Sequence, residues 1–405
     1  MLTASKEAID SLVEDIEYLW FPDSDIVVYD TPPTALHFLR EHVAKSRPCI
    51  VRRALPTMTW KEIRTIWPES LPLHVDVTPD GHGDCLRRVH TTTTPAGEGT
   101  GTTTETTTSE RYFVKPMECE MTMSEFCQAL EMGQRSDGKG IRTHTPPIEE
   151  RIFERSSNDD DSSSSSSKSS SKPSFENAVF YYSRQNDCLR TELQPLWDKL
   201  PFPSSLEWAA EAFGNADDGG LPDAVNLWIG PERAVSAMHK DPYENLFHVL
   251  HGTKIFTLVP PACAPLLQER PVQSGRFVWK EGGDGEYSGW QVRADVTDDG
   301  APGTVPWITV DATQRRSQHP ADHHDTPSIP YRQVRVGAGE MLYLPALWFH
   351  RVAQESDDVT IGLNYWYDMK FESPLWVYFH FVQQMQLTKK SIEDKKAKES
   401  ERRTN

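Results

Sequence analysis

Ser236-Ala-Met-His239-Lys-Asp241-Pro-Tyr-Glu-Asn245-Leu-Phe-His-Val-Leu-His-Gly252-Thr-Lys254-Ile-Phe-Thr-Leu-Val-Pro-Pro261 reads as two apolar strands. They join at a tight turn on Gly252 and end at a double proline that cannot continue a ladder. Successive side chains on a strand alternate faces, so His239 and Asp241, two apart, are expected to project to the same side. The same alternation puts Lys254, Phe256 and Leu258 on one face of the second strand. A lysine among apolar neighbours is costly unless an anion pairs with it, although one at a strand end can also snorkel to water.

Far downstream, Arg335-Val-Gly-Ala-Gly339-Glu-Met-Leu-Tyr-Leu-Pro345-Ala-Leu-Trp-Phe-His350 is a Gly-rich turn, an alternating apolar strand and a second imidazole. Two imidazoles and one carboxylate (His239, Asp241, His350) form the ligand set of a non-haem Fe(II) oxygenase, which keeps positions open for a co-substrate and O2. An H-x-D triplet alone is common in solvated loops; its surroundings give it weight. Such an oxygenase needs a cation for the distal carboxylate of 2-oxoglutarate, and Lys254 follows His239 by fifteen residues. Val359–Asp368 reads as another strand, with Asn364 as its polar exception. A buried amide must be hydrogen-bonded; Asn364 either orients a ligand or is an ordinary satisfied core residue.

Residues 178–261 and 331–368 resemble the Jumonji-C family of Fe(II)/2-oxoglutarate oxygenases, in particular its hydroxylase branch. The matching stretches are Asp223-Ala-Val-Asn226-Leu-Trp-Ile-Gly230, His239–Asn245, Val305-Pro-Trp307-Ile, Gly339–His350 and Asn364–Met369. Weaker similarity runs through Leu73-His-Val-Asp-Val-Thr-Pro-Asp-Gly81. The resemblance implies iron ligands at His239, Asp241 and His350, and a co-substrate salt bridge at Lys254 helped by Tyr181. It also implies a hydroxyl contact at Ser236, where one hydroxylase of that branch has threonine, and pocket amides at Asn245 and Asn364. The activity implied is a 2-oxoglutarate-dependent dioxygenase that hydroxylates a protein lysine at C-3, with translation-associated, developmentally regulated GTP-binding proteins as substrates. A metal-dependent peptidase acting on histone-like tails and a lysine demethylase are the alternatives. The peptidase is disfavoured by the absence of an H-E-x-x-H pair.

The chain has 405 residues, 37% of them apolar, enough for a sizeable core, and a net charge of −18. That charge argues against nucleic acid as a direct partner, since phosphate neutralisation needs clustered Lys and Arg; it suits a basic peptide. Six scattered cysteines without a C-x-x-C pair fit a reducing compartment. With no signal peptide and no spanning apolar run, a cytoplasmic location is expected, with the nucleus as a second.

Short β-rich runs across 176–370 predict a mainly β architecture, a jelly-roll or cupin-like barrel, and the resemblance implies a double-stranded β-helix. Residues 1–90 read as an α+β lead-in packing on that barrel, with helices over Ala4–Trp20, Pro33–Val43 and Thr59–Trp67 and strands at 48–52 and 73–77. Residues 109–133 add a strand and a helix. The Thr/Gly-rich 91–108 and the acidic, Ser-rich 134–175 are expected to be disordered; the Ser run is a tolerated surface insertion or a phosphorylation target. Residues 262–330 read as a long connection. Its His319, His323 and His324 fit a solvated loop better than a metal site, and Trp307 and Tyr331 are expected to frame the barrel mouth. A C-terminal helix over 371–388 is rich in aromatics and implies a homodimer by family habit, ahead of a charged tail over 389–405. That tail reads as a frayed helix, with a nuclear-localisation signal as the weaker alternative.

Overall fold

The computed structural model describes residues 6–21, 25–93, 106–134, 152–153, 178–203, 206–213, 220–280, 289–313 and 328–388. Its centre is built from eight strands: β1 Ala224–Gly230, β2 Val235–His239, β3 Tyr243–His251, β4 Thr253–Val259, β5 Arg332–Gly337, β6 Met341–Leu344, β7 Phe349–Glu355 and β8 Thr360–Asp368. One sheet runs β6-β3-β8-β1 and the other β5-β4-β7-β2, every pair antiparallel. Consecutive strands therefore alternate between the two sheets, apart from β4 and β5, which are antiparallel neighbours in one sheet. This is the strand order of a double-stranded β-helix.

Strong alternation made these strands readable. On β4, Lys254, Phe256 and Leu258 are all buried, and together with Phe247, Val249, Leu342 and Leu344 they fill the space between the sheets. The β3–β4 turn needs glycine: Gly252 has φ +73°, and a Cβ there would lie 2.6 Å from Thr360 Oγ1.

The N-terminal region enlarges the barrel. Cys49–Val51 pairs with β6 and Val27–Tyr29 with Cys49–Val51, while His82–Gly83 adds to β2. A helix over Lys6–Trp20 buries Ile16 against the loop after β4. The stretch read as one helix over Pro33–Val43 is an α-turn, Ala35–Phe38, running into a π-helix, Leu39–Val43. The helix Trp60–Ile66 starts at a capping box: Thr59 Oγ1 accepts from Glu62 N at 3.2 Å, and Glu62 Oε2 accepts from Thr59 N at 2.8 Å.

Three expectations need correction. The stretch 91–108, expected to be disordered, is a ladder at both ends, where Thr91, Thr92 and Thr93 pair with Thr108, Thr107 and Thr106. Threonine is β-branched and suits a strand, and here it prolongs the hairpin Cys85–Thr93/Thr106–Lys115; 94–105 lies outside the described residues. Within 134–175, Ile152–Phe153 pairs with Val292–Arg293, and 135–151 and 154–175 are outside the described residues. The connection 262–330 is no plain loop either. Its strands Glu269–Lys280, Gly289–Ala294 and Thr304–Ile308 join the Thr hairpin in a separate sheet over the mouth of the barrel. His319, His323 and His324 and the tail 389–405 fall outside the described residues.

The C-terminal helix spans 374–388. It splits its aromatics between two faces: Phe379 is buried, packing on Phe349 at 6.1 Å between ring centroids, while Tyr378 and Phe381 are exposed. Among the described residues, no helix is long and apolar enough to cross a membrane.

Candidate metal and co-substrate site

The end of β2 and the start of β7 lie side by side, with His239 directly opposite His350 in the antiparallel register. A bulge between Ser236 and His239 turns the end of β2 inward. The strand itself ends at His239, so Asp241 sits in the link before β3 rather than two residues along a strand. Its backbone carbonyl accepts from Leu347 N at 2.9 Å, which pins this link to the turn that delivers His350. The three ligand atoms lie within 4.8 Å of one another. Asp241 Oδ2 is 3.7 Å from His239 Nε2 and 3.6 Å from His350 Nε2.

The other nitrogen of each ring is committed elsewhere. His239 Nδ1 is 2.7 Å from Ala237 O and His350 Nδ1 is 3.0 Å from Trp348 O. A carbonyl can only accept, so each Nδ1 carries the proton and each Nε2 presents a lone pair to the common centre. Burial, reinforced by His239, pushes His350 down to about 4, so it is neutral and ready to ligate at physiological pH. Two neutral imidazoles and a carboxylate, so oriented, fit a divalent transition metal.

Deeper in the barrel, Lys254 is 1% exposed and does not snorkel to water. Its ammonium donates to Tyr181 Oη at 3.2 Å and to Gln354 Oε1. It also lies 5.2 Å from the Tyr181 ring. No carboxylate pairs with it among the described residues, and burial lowers it to about 7. Tyr181 is in turn hydrogen-bonded to Ser236. Strand β1 makes room for this group with a glycine: a Cβ on Gly230 would lie 2.3 Å from Tyr181 Cδ2. On the opposite wall Asn364 Oδ1 accepts from Trp228 Nε1 at 2.9 Å, and Asn364 Nδ2 is 3.4 Å from Asn245 Oδ1. Asn364 is thus both satisfied and at the cavity wall.

One cavity of about 540 Å3 collects His239, Asp241, His350, Tyr181, Ser236, Asn245, Lys254 and Asn364. Trp307 lines it too, whereas Tyr331 does not. A donor set at one end and a buried cation with neutral hydrogen-bond partners at the other fit a metal-chelated dicarboxylate. The buried Trp366 N–H, without a hydrogen-bond partner among the described residues, adds a donor in the same wall.

Sequence reading missed Gln354 and Asp84. Gln354 stands opposite Lys254 in the β4/β7 register, and alternation from His350 through Val352 could have found it. Asp84 had no such signal. It follows Gly-His-Gly with φ +49°, lines the cavity, and has no hydrogen bond or ion pair among the described residues. It stays open to solvent at the rim, yet the surrounding wall desolvates its carboxyl enough to raise it, and His239 is the largest opposing influence. The other charges of this wall are taken: Arg276 pairs with Glu118 at 2.5 Å and Lys115 with Asp295 at 2.9 Å, and Asp76 accepts from Ser183.

Comparison with known proteins places this geometry. The cupin-like domain family matches residues 35–373. JmjC domain-containing protein E of Dictyostelium discoideum is 31% identical over 385 residues, 90% of each chain. A lysine-specific demethylase of Arabidopsis thaliana is 28% identical, covering 92% of each. The bifunctional peptidase and (3S)-lysyl hydroxylase of Homo sapiens is 31% identical, covering 85% of this chain and 84% of that one.

Proposed function

The chain belongs to the cupin-like, JmjC-domain family, whose members are 2-oxoglutarate-dependent oxygenases, and from that premise we propose that it is a protein lysyl hydroxylase. The observation that carries this reading is the convergence of all eight residues on one cavity, ligand set at one end and buried cation at the other.

In this reading His239, Asp241 and His350 hold Fe(II), and Lys254, Tyr181 and Ser236 hold the distal carboxylate of 2-oxoglutarate. Bound together, Fe(II) and 2-oxoglutarate supply the oxidant, formed from O2 as the co-substrate becomes succinate and CO2. The protein's own work is placement. Gln354 and Tyr181 fix the ammonium where the carboxylate arrives, and the Trp228–Asn364–Asn245 chain keeps the opposite wall rigid. Burial excludes water from the ion pair and strengthens it.

Asp84 supports lysine as the target. Once a dicarboxylate neutralises Lys254, this carboxylate is the wall charge still lacking a partner among the described residues, and a cationic side chain complements it. The human relative's name carries lysyl hydroxylation, and the strongly acidic chain suits a basic peptide. Hydroxylation at C-3, GTP-binding proteins as substrates and a cytoplasmic or nuclear setting complete the reading. The Arabidopsis relative favours a second one, lysine demethylation, in which the same oxidant attacks an N-methyl carbon.

Succinate release from 2-oxoglutarate, stimulated by a lysine peptide and abolished in His239→Ala, is the expected result. Release that survives His239→Ala would overturn the assignment of the metal ligands.

A further inference from the structure

Lys240 stands between two of the three candidate ligands, and its ammonium pairs with Glu269 at 3.0 and 3.2 Å. Glu269 is 5% exposed, so the pair is largely withdrawn from solvent. The same ammonium lies 5.3 Å from the ring centre of Phe349 and 5.6 Å from that of Phe379. Phe349 immediately precedes His350; Phe379 belongs to the helix over 374–388. From that helix Gln383 Nε2 also donates to Glu269 Oε2 at 2.9 Å. Each of His239, Asp241 and His350 thus has a chain neighbour in one node, and the far side of the node is the C-terminal helix.

Stability alone is a poor reason for such a node. Desolvation offsets much of the attraction in a buried ion pair, and apolar residues of similar volume often serve as well. What a hydrogen-bonded pair adds is direction. Glu269, oriented by Gln383, sets where the Lys240 head lies, and Lys240 sets where the backbone on either side of it can go.

We propose that Lys240, Glu269 and Gln383 are positioning residues that couple the seat of the C-terminal helix to the geometry, and hence the metal affinity, of the His239–Asp241–His350 set. The inference rests on the metal reading above. It makes the helix part of the site without touching the metal.

The test is Co(II) titration of the full chain, following both affinity and the visible absorption of the bound ion, which reports ligand geometry. Removing partners that orient metal ligands typically weakens metal binding by about 10–100-fold. Lys240→Met should fall in that range with a changed spectrum, and Lys240→Arg, which keeps the charge that pairs with Glu269, should lose less affinity than Lys240→Met. Because Lys240→Met strands a buried carboxylate and can fail to fold, Gln383→Leu provides the second arm, with a smaller loss and a spectral change in the same sense. Parent affinity and spectrum in Gln383→Leu and in any folded Lys240→Met, even with a lowered melting temperature, would reduce the node to a structural contact. A parent protein that takes up no Co(II) would overturn the metal reading itself.

Discussion

Lys254 carries a positive charge into a place that offers it only neutral hydrogen-bond acceptors. Below pH 7 both the folded and the unfolded chain hold its proton, and the burial penalty is felt in full. As pH rises from about 7 toward the ordinary value of 10.5, the folded protein releases a proton that the unfolded chain keeps, so stability without co-substrate rises over that window. A bound dicarboxylate reverses the shift by restoring the ammonium. Binding of 2-oxoglutarate, with Mn(II) in place of iron, should therefore take up a proton above pH 7 and weaken as pH climbs. Calorimetry in two buffers of different ionisation heat measures this, and uptake of no proton would contradict the pairing. Asp84 offers a second test at this scale. Asp84→Asn keeps the shape and removes the charge, and a hydrogen bond to a charged group contributes about 1.5–3 kcal/mol. The KM for a lysine peptide should rise about tenfold or more, with peptide-independent turnover of 2-oxoglutarate unchanged; an unchanged KM would remove Asp84 from substrate recognition. The residues legible in the sequence were those whose type is itself chemical, such as His239, Asp241, His350 and an inward lysine. Gln354 and Asp84 look like any polar residues until the register and the loop fold bring them to the cavity.

Among the elements, β1 and the strand Val179–Tyr181 approach so closely that Gly230 has no alternative. Its Cβ position lies 2.3 Å from the Tyr181 ring and 3.1 Å from Gln354 Nε2, the two residues that hold Lys254. Gly230→Ala should displace them, destabilising by about 1–3 kcal/mol as overpacking does, and weaken 2-oxoglutarate binding more than metal binding. Equal loss of both would point to general unfolding. The barrel strands were legible because alternation and turn signals agreed over β3–β4 and β5–β6. The outer sheet was not. Pro271 and Pro306, opposite each other in its register, lack the N–H that a ladder needs and so argue against strands on composition. The Thr hairpin hid behind low complexity, although its residue type suits a strand. The π-helical turn at Leu39–Val43 leaves no signature in apolar spacing.

For the whole molecule, the C-terminal helix has two unequal jobs. One face seats Phe379 on the barrel and feeds Gln383 into the node beside the candidate metal ligands; the other leaves Val377, Tyr378 and Phe381 exposed at 56%, 71% and 59%. Apolar surface of this kind calls for a cover, and a second copy of the chain is the cover we propose. Sedimentation velocity should show a dimer that Phe381→Glu converts to monomer; a monomeric parent at every concentration would refute it. The account as a whole stands on oxygen transfer to a protein lysine. Mass spectrometry on lysine peptides from GTP-binding proteins and histone tails, incubated with Fe(II), 2-oxoglutarate and ascorbate, tests this most directly. The account predicts one added oxygen on an intact lysine peptide, absent in His239→Ala. Cleavage of the peptide, or loss of a methyl group with no added oxygen, would contradict it.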